Sequence, residues 1–123
     1  MSSEPAVPPG WPNDVRAPQS PEWERSAIVW LYDQCPPDYR SYDVPRRHPR
    51  VLCRFAAAYL DGALSATEHL LRTARTDLGD LPADVVEGAV AAFERERHRL
   101  RAARRGVDLI EGALKGVTWV PRL

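Results

Sequence analysis

Seventeen basic residues balance seventeen acidic ones over 123 positions, so the chain has no net field to gather nucleic acid or an anionic membrane. The length allows one modest core and no second. No stretch approaches the ~20 apolar residues that span a bilayer, and a soluble protein is expected. Cys35 and Cys53, the only cysteines, lack C-x-x-C spacing, and the N-terminus lacks a basic then apolar leader, which points to a reducing cytoplasm. Sixteen of the cations are arginine, a bias that weakens any argument from arginine alone.

Residues 1–20 are read as a Pro-rich extended arm, since six prolines fall within the first 21 positions and the apolar residues are few: Val7, Trp11 and Val15. Residues 21–123 are read as a single helical domain. Ser20, Pro21 and Glu22 resemble an N-cap, a proline at the first helical position and a first-turn acid. The helix they open should run to about Gln34, where Pro36 and Pro37 end it. Its apolar stripe is Trp23, Ala27, Trp30 and Leu31, closed by Gln34. Residues 35–49 read as a loop.

Two longer helices follow. Cys53, Ala57, Leu60, Leu64, Thr67, Leu71, Ala74 and Leu78 are spaced alternately by four and three, and Ala89, Phe93, Glu96, Leu100, Ala103, Val107, Ile110 and Leu114 repeat the pattern. The spacing predicts one helix from His48 and Pro49 to Leu78 and another from Pro82 to about Lys115. Gly79 stands where a C-terminal cap is wanted. The chain after Gly116 should be extended as far as Leu123. The fold class expected is all-α: a long antiparallel hairpin of coiled-coil type with the shorter N-terminal helix in its groove, a three-helix bundle.

Charges not used to find the hairpin support it. Antiparallel pairing sets Arg54 against Glu111, Asp61 against Arg104 and Glu68 against Arg97, all opposite in sign. On the opposite flank small residues such as Ala56, Ala63, Ala102 and Gly106 form a groove suited to Trp23 and Trp30. Near the hairpin turn that flank carries Leu70, Val85 and Ala92 with no evident cover.

Chemistry is less legible. Glu96 is the one acid in the seam, where a buried carboxylate could act as a base or simply turn out to Arg95 or Arg99. Cys35, His48, Cys53, His69 and His98 lack the short pairings that zinc sites use, so no metal is expected. Asp33 and Asp38 should raise the Cys35 thiol pKa. No phosphate loop, G-x-S-x-G or H-E-x-x-H occurs, so catalysis is disfavoured and no cofactor is expected.

Arginines cluster at 46–50 and 95–105, which offers nucleic-acid binding as an alternative, diluted by the acids around them. The loop is rich in the tyrosines and arginines that dominate contact sites. Tyr39, Arg40, Tyr42, Arg46 and Arg47, with Leu70 and Val85, are therefore the expected partner-binding residues.

The strings WERSAIVWLYDQCPPDYR (Trp23 to Arg40), RRHPRVLCRFA (Arg46 to Ala56) and WVPRL (Trp119 to Leu123) resemble a family of small actinobacterial proteins. The resemblance implies a bacterial cytoplasmic setting and no particular mechanism. The function expected is a non-catalytic helical module for a protein partner or a second copy, with no membrane role. The alternatives are a nucleic-acid-associated protein and a small enzyme or ligand-binding bundle around Glu96.

Overall fold

The computed structural model describes residues 6–121; the first five residues of the expected arm and the last two of the expected tail lie outside them. The described chain is all-helical. In order come α1 (Trp23–Asp33), a 3₁₀ turn (Pro37–Ser41), α2 (Asp43–Arg47), α3 (Pro49–Asp77) and α4 (Ala83–Leu114). The long pair α3 and α4 pack against each other over most of their length. No helix among the described residues is long and apolar enough to cross a membrane.

The arm differs from the extended form expected. Its prolines make successive turns, in which the amides of Trp11, Val15 and Ser20 donate to the carbonyls of Pro8, Pro12 and Ala17. Trp11 and Val15 are buried with the helical core. Burial of the indole is possible because its N–H donates to the Val15 carbonyl at 2.9 Å, leaving no orphan donor. The Trp11 and Trp23 rings lie 6.2 Å apart, and the Arg16 amide donates to Ser26 Oγ at 3.0 Å, tying arm to helix.

Ser20 does not cap α1 as expected. Its hydroxyl donates to the Ala17 carbonyl at 2.5 Å, and Glu22, at φ 65°, takes the cap position. The chain must reverse between arm and helix, and that demand overrides the capping preference. Residues 43–47, expected as loop, form a helical turn with Pro45 buried.

Of the expected seam, Cys53, Ala57, Leu60, Thr67 and Ala74 of α3 and Leu100, Ala103, Val107 and Ile110 of α4 are buried, while Leu64, Leu71, Leu78, Ala89, Phe93, Glu96 and Leu114 are only partly so. Of the turn residues, Gly79 is not left-handed; the positive-φ glycines are Gly10 and Gly116. Gly79 is needed for closeness, since a Cβ there would lie 2.8 Å from the Arg75 carbonyl oxygen. Gly116, at φ 87°, closes α4: its amide donates to the Ala113 carbonyl and that of Val117 to Gly112.

Two of three expected cross-hairpin pairs form. Arg54 bonds Glu111 through Nε at 2.8 Å and Nη2 at 2.5 Å, and Arg104 Nε reaches Asp61 at 2.8 Å. Glu68 instead meets Arg101 at 3.6 Å. Side chains lean toward the N-terminus of their own helix, so in an antiparallel pair Arg101 leans toward the turn and Glu68 away from it. An unexpected fourth pair, Arg75 with Glu87 at 2.9 Å, lies nearer the turn.

The core is one-sided. α1 buries Trp23, Ala27, Leu31 and Tyr32 against the half of the hairpin remote from the turn. Trp30 lies over Gly106, where a Cβ would come within 2.8 Å of the indole ring and 2.9 Å of Pro12. Beyond Leu60 and Leu100 the main cluster stops, and toward the turn only Thr67, Ala74, Val86 and Val90 are buried.

Candidate interaction surface

The seven expected contact residues fall in two places. Tyr39, Arg40, Tyr42, Arg46 and Arg47 gather where the 3₁₀ turn and α2 meet α1 and the start of α3. Leu70 and Val85 lie toward the hairpin turn. From Tyr59, beside the first group, to Leu70 is eleven residues of one helix, about 17 Å.

Tyr39 is mainly a packing residue. Its ring lies 4.4 Å from Phe55, 6.2 Å from Tyr59 and 6.5 Å from Tyr42, an aromatic cluster that fastens the loop to α3. Tyr42 stacks on Phe55 at 5.9 Å yet keeps half its surface exposed. Phe55 and Tyr59 join this cluster without being among the expected contact residues. The signal was present, because Phe55 occupies an outward position of α3, opposite the seam, where an aromatic needs a partner.

Arg40 is held on three sides. Its guanidinium lies 5.7 Å from the centre of the Tyr32 ring and bonds Asp33 at 3.1 Å, while its carbonyl accepts from Arg46 Nη2. Arg47 pairs with Asp43 at 3.0 Å. Arg46 has no acidic partner within ion-pair distance among the described residues. Glu24, Arg25, Arg40 and Arg46 border an open hollow of about 550 Å³ that Ile28, Val29 and Tyr32 also line. The Tyr32 hydroxyl is buried and unbonded within the chain. Three arginines and one acid beside apolar side chains suit a segment that carries both charged and apolar groups.

The other candidate chemistry is largely neutralised. Glu96 is not a seam acid with a raised pKa: both its oxygens accept from Arg99 at 2.8 Å, its side chain is nearly half exposed, and the bond to Arg99 holds its carboxyl below the ordinary range. Cys35 and Cys53 are free and buried. Burial pushes Cys35 up to about 11 and Cys53 to about 12. For Cys35 the neighbouring charge that matters is Arg40, which opposes the shift; the effect expected of Asp33 and Asp38 is not what raises it. Among the described residues no group of three or more His, Cys, Asp or Glu is placed to hold a metal ion.

In the 95–105 run, Arg99, Arg101 and Arg104 are bound to acids. The aliphatic stem of Arg105 packs where a Cβ on Gly10 would lie, 2.7 Å away. Arg95 and Arg97 form no ion pair with a described residue. A second hollow of about 360 Å³ lies between the arm, the end of α4 and the tail, walled by Trp11, Leu109, Ala113 and Trp119. Comparison with family models, curated proteins and solved structures finds no match, so nothing beyond the chain itself adds to the family resemblance.

Proposed function

We propose that the chain is a non-catalytic helical module that binds a protein partner, with the loop face as the contact for a segment carrying both acidic and apolar residues. The observation that carries this is Arg46. It is anchored by a hydrogen bond to the Arg40 carbonyl, forms no ion pair with a described residue, and borders a hollow lined by Glu24, Ile28, Val29 and Tyr32. Arginine held in place by the backbone and set against apolar surface loses little freedom on binding, which favours contact energy.

The scaffold reading that goes with it is a three-helix bundle at the α1 end, supported by Trp30 over Gly106, thinning to a two-helix projection at the turn. Two free buried thiols fit a reducing bacterial cytoplasm.

The test is co-purification from native cells with the wild-type chain and with the Arg46→Glu and Tyr42→Ala variants. A protein recovered by wild type and lost with both variants supports the reading. No recovery, or recovery indifferent to both changes, contradicts it.

Nucleic-acid association is kept as a second reading because Arg46, Arg50, Arg95 and Arg97 have no ion-pair partner among the described residues. It requires binding that weakens steeply with salt. A flat gel-shift titration with duplex and single strands at low ionic strength removes it.

A further inference from the structure

We infer that the open flank near the hairpin turn is covered by the same flank of a second copy, in an antiparallel two-fold pairing. The inference deepens the proposed function and rests on it in treating that flank as a protein-binding surface.

The observed ion pairs fix the register. Moving seven residues along α3 from Arg54 to Asp61 moves seven back along α4 from Glu111 to Arg104. Carried forward, Tyr59 is level with Gly106, Ala66 with Arg99, Leu70 with Arg95 and Thr73 with Ala92, to within a turn. Trp30 covers the flank at Gly106. Beyond it Leu70 and Val85 are 43% and 47% exposed, and Ala66, Gly88 and Ala92 beside them are exposed too.

Charge on this flank is segregated along its length. Asp77, Asp80 and Asp84 cluster at the turn and form no ion pair with a described residue. Asp77 ends α3, where the helix dipole already places negative charge, so a cation from outside would be favourable there. Roughly 10 and 16 Å of helix further along from the level of Asp77 stand Arg95 and Arg99, the latter already bound to Glu96. Arg95 forms no ion pair with a described residue.

A two-fold axis at Thr73 and Ala92 superposes these features. It sets Asp77 near the partner's Arg95. Val85 then falls against the partner's Ala66, large against small, while Leu70 lies over the partner's Gly88. The partner's turn, at Pro82, then lies level with Ala102, about 6 Å short of Gly106 at a rise of roughly 1.5 Å per residue, so it ends just before the Trp30 contact. A contact of one helix pair about 20 Å long is below standard interface size, and the expected dissociation constant is on the order of 100 μM and salt-dependent.

Sedimentation velocity over a concentration series tests this with wild type, Arg95→Asp, and Arg95→Asp combined with Asp77→Arg, helical content being checked for each. Expected are concentration-dependent dimers for wild type, at least about tenfold weaker association for Arg95→Asp, and recovery to within about threefold for the charge swap. A monomer at all concentrations, or a dimer indifferent to Arg95→Asp or unrepaired by the swap, overturns the inference. Failure here with partner capture through Arg46 intact sinks the self-pairing alone; failure of both sinks the reading beneath it.

Discussion

Arg54 closes on Glu111 across 57 positions of sequence, with hydrogen bonds of 2.8 and 2.5 Å. The acid is the buried partner, its side chain 11% exposed against 59% for the arginine. The two helices are thus clasped at the end opposite their turn, where a hairpin would otherwise fray.

The asymmetry of that pair sets the first expectation. Arg54→Ala strands a largely buried carboxylate and should cost about 1–3 kcal/mol by chemical denaturation. Arg54→Ala with Glu111→Leu should regain much of the loss, because an apolar pair needs no compensation. A single variant as stable as wild type would show that the clasp holds nothing.

Gly106 gives a change whose sign is opposite to helix propensity. Alanine in a helix is ordinarily better than glycine by up to ~1 kcal/mol. At Gly106 the new methyl would meet Trp30 at 2.8 Å and Pro12 at 2.9 Å, and Gly106→Ala should destabilise by about 1–3 kcal/mol. Gly62, with nothing within 4 Å, is the control, and Gly62→Ala should stabilise by about 0.5–1 kcal/mol. Thermal melts of the two variants moving in the same direction would contradict the packing of α1.

Burial makes both thiols poor nucleophiles. With Cys35 raised to about 11 and Cys53 to about 12, neither should react with a thiol reagent at pH 8 until denaturant is added, when both should react. The linkage runs the same way. The folded values lie above the ordinary 9.0, so the stability the thiols permit is intact below that value and declines as pH rises from there toward 11 and 12. Fast stoichiometric labelling of the native chain would place a cysteine at an accessible site.

Glu96 is expected to behave as a surface ion-pair acid. Its pKa is depressed by the Arg99 bond, so its contribution is present above the ordinary carboxylate range and lost as pH falls through the folded value. Solvent screens the pair, and Glu96→Gln should change stability by less than about 1 kcal/mol. A loss of several times that size, or a ligand that fails to bind the variant, would restore Glu96 as a functional centre.

The hairpin was legible because period and charge are written redundantly along α3 and α4. Heptad spacing marks Cys53, Ala57, Leu60, Leu100, Ala103, Val107 and Ile110, all buried, and the pairs Arg54–Glu111 and Asp61–Arg104 agree with its register. Prolines suit both extended chain and turns, so the arm's composition does not distinguish them. What decides between them is whether Trp11 can bury its N–H, and that depends on the Val15 carbonyl four residues on. Composition marks Tyr39 as a contact residue and does not reveal that Phe55 turns outward to receive it. The hollow beside Arg46 was invisible for a related reason: it joins α1 to α2 through contacts with no periodic signature.

Hydrogen exchange at two protein concentrations measures most directly whether the surface left open by the hairpin serves protein contact. At low concentration the amides from Ala66 to Ala92 should exchange faster than those from Leu100 to Leu114, because only the latter lie against the main core. Raising the concentration should slow exchange in the first segment and leave the second unchanged. Equal protection along both helices, insensitive to concentration, would contradict an exposed and self-complementary turn end.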